Sequence, residues 1–170
     1  MRHRAAGFSL LELITTLTLV AILLTLAIPA FRATLDNNRT VAANNDFVSA
    51  LNFARSEALK RSGSVSVCAS STGTSCAASK SWNTGYIAFS DTNANGTLDG
   101  VETVMQAWPA MDTNFVLTST TRTFVRYSST GMSSGAETFA LQKSGCTGNH
   151  ARTITISVTG RIKTDVAACS

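Results

Sequence analysis

Four cysteines, one carboxylate inside an apolar run, a loop dense in Asp and Asn, and a basic C-terminal third are the parts of this 170-residue sequence that could do chemistry. The cysteines fall as Cys68-x7-Cys76 and Cys146-x22-Cys169. Neither spacing is the two-residue knuckle that sets two thiolates on one zinc ion, and the histidines are only His3 and His150. Asp91, Asn93, Asn95, Asp99 and Glu102 occupy positions 1, 3, 5, 9 and 12 of a stretch with Gly96 at position 6, the pattern of an EF-hand calcium loop. Its flanks read as strands, not helices. Asp, Asn and Gly also gather in plain turns, which is the reading those flanks favour; calcium would bind weakly. There is no Gly-rich phosphate loop after a strand, and any Ser–His–Asp set would have little histidine to draw on. The chain reads as a non-enzyme with no obligatory cofactor.

Charge is sparse. Charged residues make up 14 % and hydrophobic ones 44 %, against roughly 25 % charged in ordinary soluble domains. With a mean hydropathy of +0.14 this excludes a disordered chain. The formal charge of +4 does not by itself argue a nucleic-acid partner. Its placement is uneven. From Arg122 onward come Arg122, Arg126, Lys143, Arg152, Arg161 and Lys163 against only Glu137 and Asp165. Arg161 and Lys163 are two apart and would share a face of a strand, with Arg152 expected on a strand close by. Such a patch could meet phosphates, which need only positive charge and reach.

These groups must be positioned by something, and the N-terminal third shows what. Phe8 to Ile28 holds a single charge, Glu12. As a helix, 21 residues span roughly 32 Å, the hydrocarbon thickness of a bilayer. Arg2 and Arg4 before it would stay cytoplasmic. The run is long for a secretory signal, whose apolar region is about 7–15 residues. In a plain membrane anchor the carboxylate would cost about 2.5–3.5 kcal/mol near the centre and less near the end, unless it has a partner.

Gly7-Phe8-Ser9-Leu10-Leu11-Glu12-Leu13 resembles the leader junction of type IV pilins and of the pseudopilins of type II secretion. The resemblance implies that a prepilin peptidase cuts between Gly7 and Phe8, removing 1–7 as a leader. It implies that the new Phe8 amine is methylated and that Glu12 docks against such an amine on a neighbouring subunit. A buried carboxylate needs a positive partner. Pro29 also matches the pattern and can bend a helix there.

Beyond Pro29 the chain stays free of Gly and Pro to Arg61. Phe47, Leu51, Ala54 and Ala58 recur on one helical face, and Ser62-Gly63 ends the pattern. One helix is expected over about 8–62: a transmembrane or filament-core half at 8–31 and an amphipathic half at 32–62. From 63 to 170 about seven short strands are expected. Val65 and Val67 alternate with serines, and Ile154, Ile156 and Val158 alternate with Thr155 and Ser157, as in half-buried strands. The abundant Ser and Thr suit exposed faces of an antiparallel sheet. The fold class is α+β, a long helix on an antiparallel β-rich domain, which is the pilin arrangement.

Ala54-Arg55-Ser56-Glu57-Ala58, Phe124 to Gly131, and Ala151-Arg152-Thr153-Ile154 leading to Thr159-Gly160-Arg161-Ile162-Lys163 resemble the GspH/FimT pseudopilins and minor pilins. The resemblance implies a subunit made in the bacterial inner membrane as a single-pass precursor with its C-terminal domain in the periplasm. It would then join major and minor pilins, helping to initiate or complete a type IV pilus, with an extracellular tip as one destination. The alternatives it leaves are a DNA-binding minor pilin for natural transformation and a GspH-like pseudopilin of type II secretion. Gly160-Arg161-Ile162-Lys163 is similar to a Gly-Arg-x-Arg motif linked in FimT-type pilins to DNA capture; Lys163 keeps the charge but loses the guanidinium fork. In an oxidising periplasm the cysteines pair. Four cysteines allow three connectivities, of which the local pairs Cys68–Cys76 and Cys146–Cys169 are favoured.

Overall fold

The computed structural model describes residues 9–170. The chain divides into two compact units, one up to Asn38 and one from Arg39 to Ser170. Helix α1 runs Leu10–Arg61 with Pro29 inside it. It stops at a left-handed Ser62 (φ 51°). The Ser62 N–H donates to the Leu59 carbonyl and the Gly63 N–H to the Ala58 carbonyl, the paired bonds that satisfy a helix's last carbonyls.

Eight strands follow: β1 Val65–Ala69, β2 Tyr86–Ser90, β3 Val104–Trp108, β4 Phe115–Ser119, β5 Phe124–Tyr127, β6 Glu137–Lys143, β7 Ala151–Ile156 and β8 Ile162–Ala167. They form two four-stranded sheets, ordered β3-β2-β1-β5 and β4-β6-β7-β8, with all pairings antiparallel. The expected α+β pilin arrangement is therefore present. The count exceeds the expected seven.

The helical face expected from the sequence is the one buried. Phe47, Leu51, Ala54 and Ala58, with Ala50, share one core with Val65, Val67 and Ala69 of β1 and with Leu117, Phe139, Leu141, Ile154 and Ile156 of the second sheet. Phe47 is its centre, edge-on to Phe139 at 4.8 Å, Tyr86 at 5.2 Å and Trp82 at 5.7 Å between ring centroids.

Two strand expectations need correction. The serine face of β1 was expected to meet solvent, but β1 is buried on both faces. A second, smaller core of Cys68, Ile87 and Phe89, with Cys76, Leu98 and Phe124 packed on it, covers its outer side. The alternation through Val158 also breaks off: β7 ends at Ile156 and Val158 is exposed beyond it. The Gly160 N–H donates to the Ser157 carbonyl there, at 2.8 Å, and closes a turn.

Glu137 shows how the links between strands are held. Its carboxylate accepts from the Thr120 and Thr121 backbone and hydroxyl groups and from the Arg122 and Thr138 N–H groups. Burial pushes its pKa up, but the hydrogen bonds from Thr121, Thr120 and Thr138 outweigh that and hold it below the usual value of 4.5. A carboxyl lowered in the folded state stabilises above its unfolded pKa, and that contribution is lost as pH falls through the folded value. Thermal melts from pH 7 down to about pH 3 should show Glu137→Gln less stable than the wild type at neutrality, with the gap shrinking below about pH 4.5. A constant gap would contradict this.

Candidate functional site

Gly7 and Phe8 lie outside the described residues; the junction can be followed from Ser9. The Ser9 hydroxyl oxygen accepts from the Glu12 N–H at 3.2 Å, and the Ser9 carbonyl accepts from the Leu13 N–H at 3.2 Å. Ser9 is thus the cap of α1, and Glu12 sits three residues in, where the helix dipole favours a carboxylate. The Ser-x-x-Glu spacing that signals such a cap is visible in the sequence, and Ser9 is the residue that the motif reading passed over. Around Glu12 the side chains from Leu10 to Ile28 are exposed. Thr15, Thr16, Thr18 and Thr25 donate their hydroxyls to carbonyls three or four residues back, which leaves the helix surface apolar.

The basic residues do not gather as the sequence suggested. Arg161 is exposed and just precedes β8. Lys163 is exposed on β8 but pairs with Asp165 at 2.8 Å. Arg152 is no surface contact: it is only 8 % exposed, opposite Val166 in the β7–β8 ladder, and donates to the Ala151 carbonyl. The alternation of β7 runs through two consecutive buried residues, Ala151 and Arg152, so strand periodicity alone misplaced it.

Gly160 explains why Arg161 is held. It has φ +75°, and a methyl there would overlap the Gly131 carbonyl oxygen and sit 3.0 Å from Arg55 Nε. Arg55 itself donates from Nε to the Gly131 carbonyl (2.9 Å) and from Nη2 to the Thr159 carbonyl (3.1 Å). The three C-terminal and helical pieces that carry the GspH/FimT resemblance thus meet at one clamp. Arg55, unassigned in the sequence reading, is its hub; the only signal was the two glycines at loop ends far apart in the chain.

The calcium-like loop lies between β2 and β3. Asp91 is buried and accepts from the Ser66 hydroxyl (2.5 Å) and from the Asn95 and Gly96 N–H groups. Asp99 accepts from the Asn93 and Asn95 amides, and Glu102 from the Thr92 and Asp99 N–H groups. The side chains of the pattern thus serve the loop's own turns. Among the described residues, no three His, Cys, Asp or Glu side chains converge as a metal site.

The cysteines are joined as Cys68–Cys76 and Cys146–Cys169. The first fastens the long β1–β2 connection to β1. The second ties the segment after β8 to the β6–β7 loop, where the Cys169 N–H also donates to Gly148 and Ser170 is bound by Gln142.

Two family models match the chain: Type II transport protein GspH over residues 43–160 and the prokaryotic N-terminal methylation motif over residues 2–28. Comparison with curated proteins gives no match. Two crystal forms of the type IV minor pilin FimU from Pseudomonas aeruginosa share the fold. In one, the TM-score is 0.62 at 20 % identity, covering 78 % of this chain and 96 % of FimU. In the other it is 0.58 at 20 % identity, covering 76 % and 98 %. With the GspH model spanning more than half of its length behind a methylation motif, the chain belongs to the GspH family and is a minor pilin or pseudopilin.

Proposed function

We propose that the chain is made as an inner-membrane precursor, cut by a prepilin peptidase between Gly7 and Phe8, methylated on Phe8, and packed by its apolar helix among other pilins of a type IV pilus. The observation that carries this reading is a lone carboxylate, Glu12, at the capped start of a helix whose first stretch, Leu10 to Ile28, is otherwise uncharged, largely apolar and exposed. A carboxylate in that setting needs a cation, and the amine of a neighbouring mature subunit supplies one. The structural role follows: the chain transmits no chemistry, and its globular unit is the part that other subunits or a ligand would meet. Gly7→Lys should leave an uncleaved precursor. Mature mass in that variant would refute the processing step. The family model's description points to the alternative machine, type II secretion. Loss of secretion with intact pili in a deletion strain would select it.

A DNA-contacting role is a second reading, favoured by Arg161. Its guanidinium is exposed and has no hydrogen-bond partner among the described residues, and Gly160 and the Arg55 clamp fix the turn that presents it. Arg161→Ala/Lys163→Ala should weaken duplex DNA binding, and raised salt should weaken it further, because released counterions drive such binding. Titration of the full chain in detergent at two salt concentrations checks this. Equal binding by wild type and variant would remove Arg161 and Lys163 from the contact.

A further inference from the structure

A sheet edge offers unpaired N–H and C=O groups to any strand that comes near, and proteins cover or charge such edges. Three of the four edges here are guarded in that way. Along β4 the Trp82 N–H donates to the Leu117 carbonyl at 2.7 Å and the Ser119 N–H to the Lys80 carbonyl at 2.9 Å. Along β5 the Ser134 N–H donates to the Arg126 carbonyl at 2.9 Å, and Tyr127 bridges to Ser133. β8 carries the exposed Lys163 and Asp165. β3 is unguarded. Its strand neighbour is β2, and among the described residues no backbone group of Val104–Trp108 bonds outside that ladder. Thr103 to Met111 holds no charge, and Val104, Gln106 and Ala107 are exposed.

The C-terminal end of this edge runs between two clefts. On the helix side, a cleft of about 500 Å³ opens between α1 and the residues after β3. Trp108 walls it, stacked on Tyr86 at 5.5 Å between ring centroids. Asp46 of α1 and Asp112 line the same cleft. Asp46 is exposed, and among the described residues its carboxylate has no hydrogen bond or ion pair. Asp112 accepts from Asn114 through Oδ1 alone. Arg39 also lines the cleft, but it lies two helical turns back, roughly 10 Å along the axis from Asp46. On the outer side, a cleft of about 410 Å³ is lined by the hydroxyl residues Ser70, Ser71, Thr72 and Thr84 beside Ala107. Ala107 pairs with Ile87 of the outer core, which fixes the side.

We propose that β3 receives an extended segment of another protein as an added strand, with an Arg side chain of that segment in the helix-side cleft and a small polar side chain in the outer one. The free backbone groups match a strand. Successive side chains of a strand point to opposite faces, so adjacent residues reach the two clefts, and pockets for alternate side chains set specificity in strand addition. Charge complementarity selects the arginine. Its planar head lies on the Trp108 indole and reaches Asp46 and the open oxygen of Asp112. A second copy does not satisfy the site, because its own β3 brings no cation. The contact lies wholly in the unit from Arg39 onward and needs no cleavage at Gly7, so its failure leaves the processing reading untouched.

The probe is a fluorescently labelled peptide, acetyl-Thr-Val-Arg-Thr-Val-Thr-Val-amide, titrated into the full chain in detergent micelles. Its binding should slow hydrogen exchange of the backbone amides of 104–108. One control peptide has Glu in place of Arg. A second keeps every side chain but is N-methylated on alternate residues, which removes the pairing N–H groups. Both should bind about tenfold more weakly or worse. Asp46→Lys, an exposed change on α1, should weaken the Arg peptide to the same degree and strengthen the Glu peptide, a reversal that misfolding would not produce. No binding of the Arg peptide at millimolar concentration, unchanged exchange at 104–108, equal binding of the N-methylated peptide, or no response to Asp46→Lys would each overturn the proposal. So would protection of 104–108 that rises with the chain's own concentration in the absence of peptide, which would make a second copy the occupant.

Discussion

Phe47→Ala should destabilise the globular unit by about 3–5 kcal/mol, the cost of deleting a buried aromatic whose surroundings cannot collapse onto the gap. The surroundings here are rigid for a stated reason. Phe47 leaves α1 into a ring of Trp82, Tyr86 and Phe139, all fully or almost fully buried. Those three come from the β1–β2 connection and from both sheets. In this ring the helix, the first sheet and the second sheet meet through edge-on aromatic contacts. Edge-to-face aromatic pairs add about 0.5–1.5 kcal/mol each beyond area burial. Urea unfolding followed by the fluorescence of Trp82 and Trp108 would read the loss. A fall below about 1 kcal/mol, well under the range for such truncations, would mean that the helix is not keyed into the sheets as described.

Gly160→Ala should be nearly as damaging through a different mechanism. A non-glycine residue held at φ +75° costs on the order of 1–3 kcal/mol, and the new methyl would also meet the Gly131 carbonyl and Arg55 Nε. Both are members of the Arg55 clamp, so neither can yield without breaking a hydrogen bond to a guanidinium, about 1.5–3 kcal/mol. Gly145→Ala is the control. It shares a left-handed backbone, φ +71°, but nothing lies within 4 Å of its added methyl. Paired melting curves should show Gly160→Ala losing clearly more than Gly145→Ala. Equal losses would mean that the close approach of the two turns carries no weight.

How far the sequence reveals these features depends on their range. The long helix, its buried face at Phe47, Leu51, Ala54 and Ala58, and the polar break at Ser62 are local or periodic, and a sequence shows periodicity well. The cap at Ser9 is equally local and was available from the Ser-x-x-Glu spacing. The two-sided burial of β1 was not, because its outer cover is a loop folded back from residues 91–102, fixed by the Ser66–Asp91 bond across 25 residues. Arg152 looked like a surface cation because charge patterning carries no information on which strand neighbours close over it. The Arg55 clamp joins residues 76 and 104 positions apart; composition and spacing cannot specify such a junction. The acidic loop is legible in the other direction, a complete local motif whose carboxylates also accept from the loop's own N–H groups.

The central claim is that this chain is a processed filament subunit, and its N-terminus tests that most directly. Filaments sheared from cells expressing the full-length precursor would be digested and their terminal peptides weighed. The account predicts a chain beginning at Phe8 with one added methyl group on its amine and Glu12 intact within the same peptide. A chain still beginning at Met1, or one cut beyond Ile28 as a secreted protein would be and absent from the filaments, would contradict it.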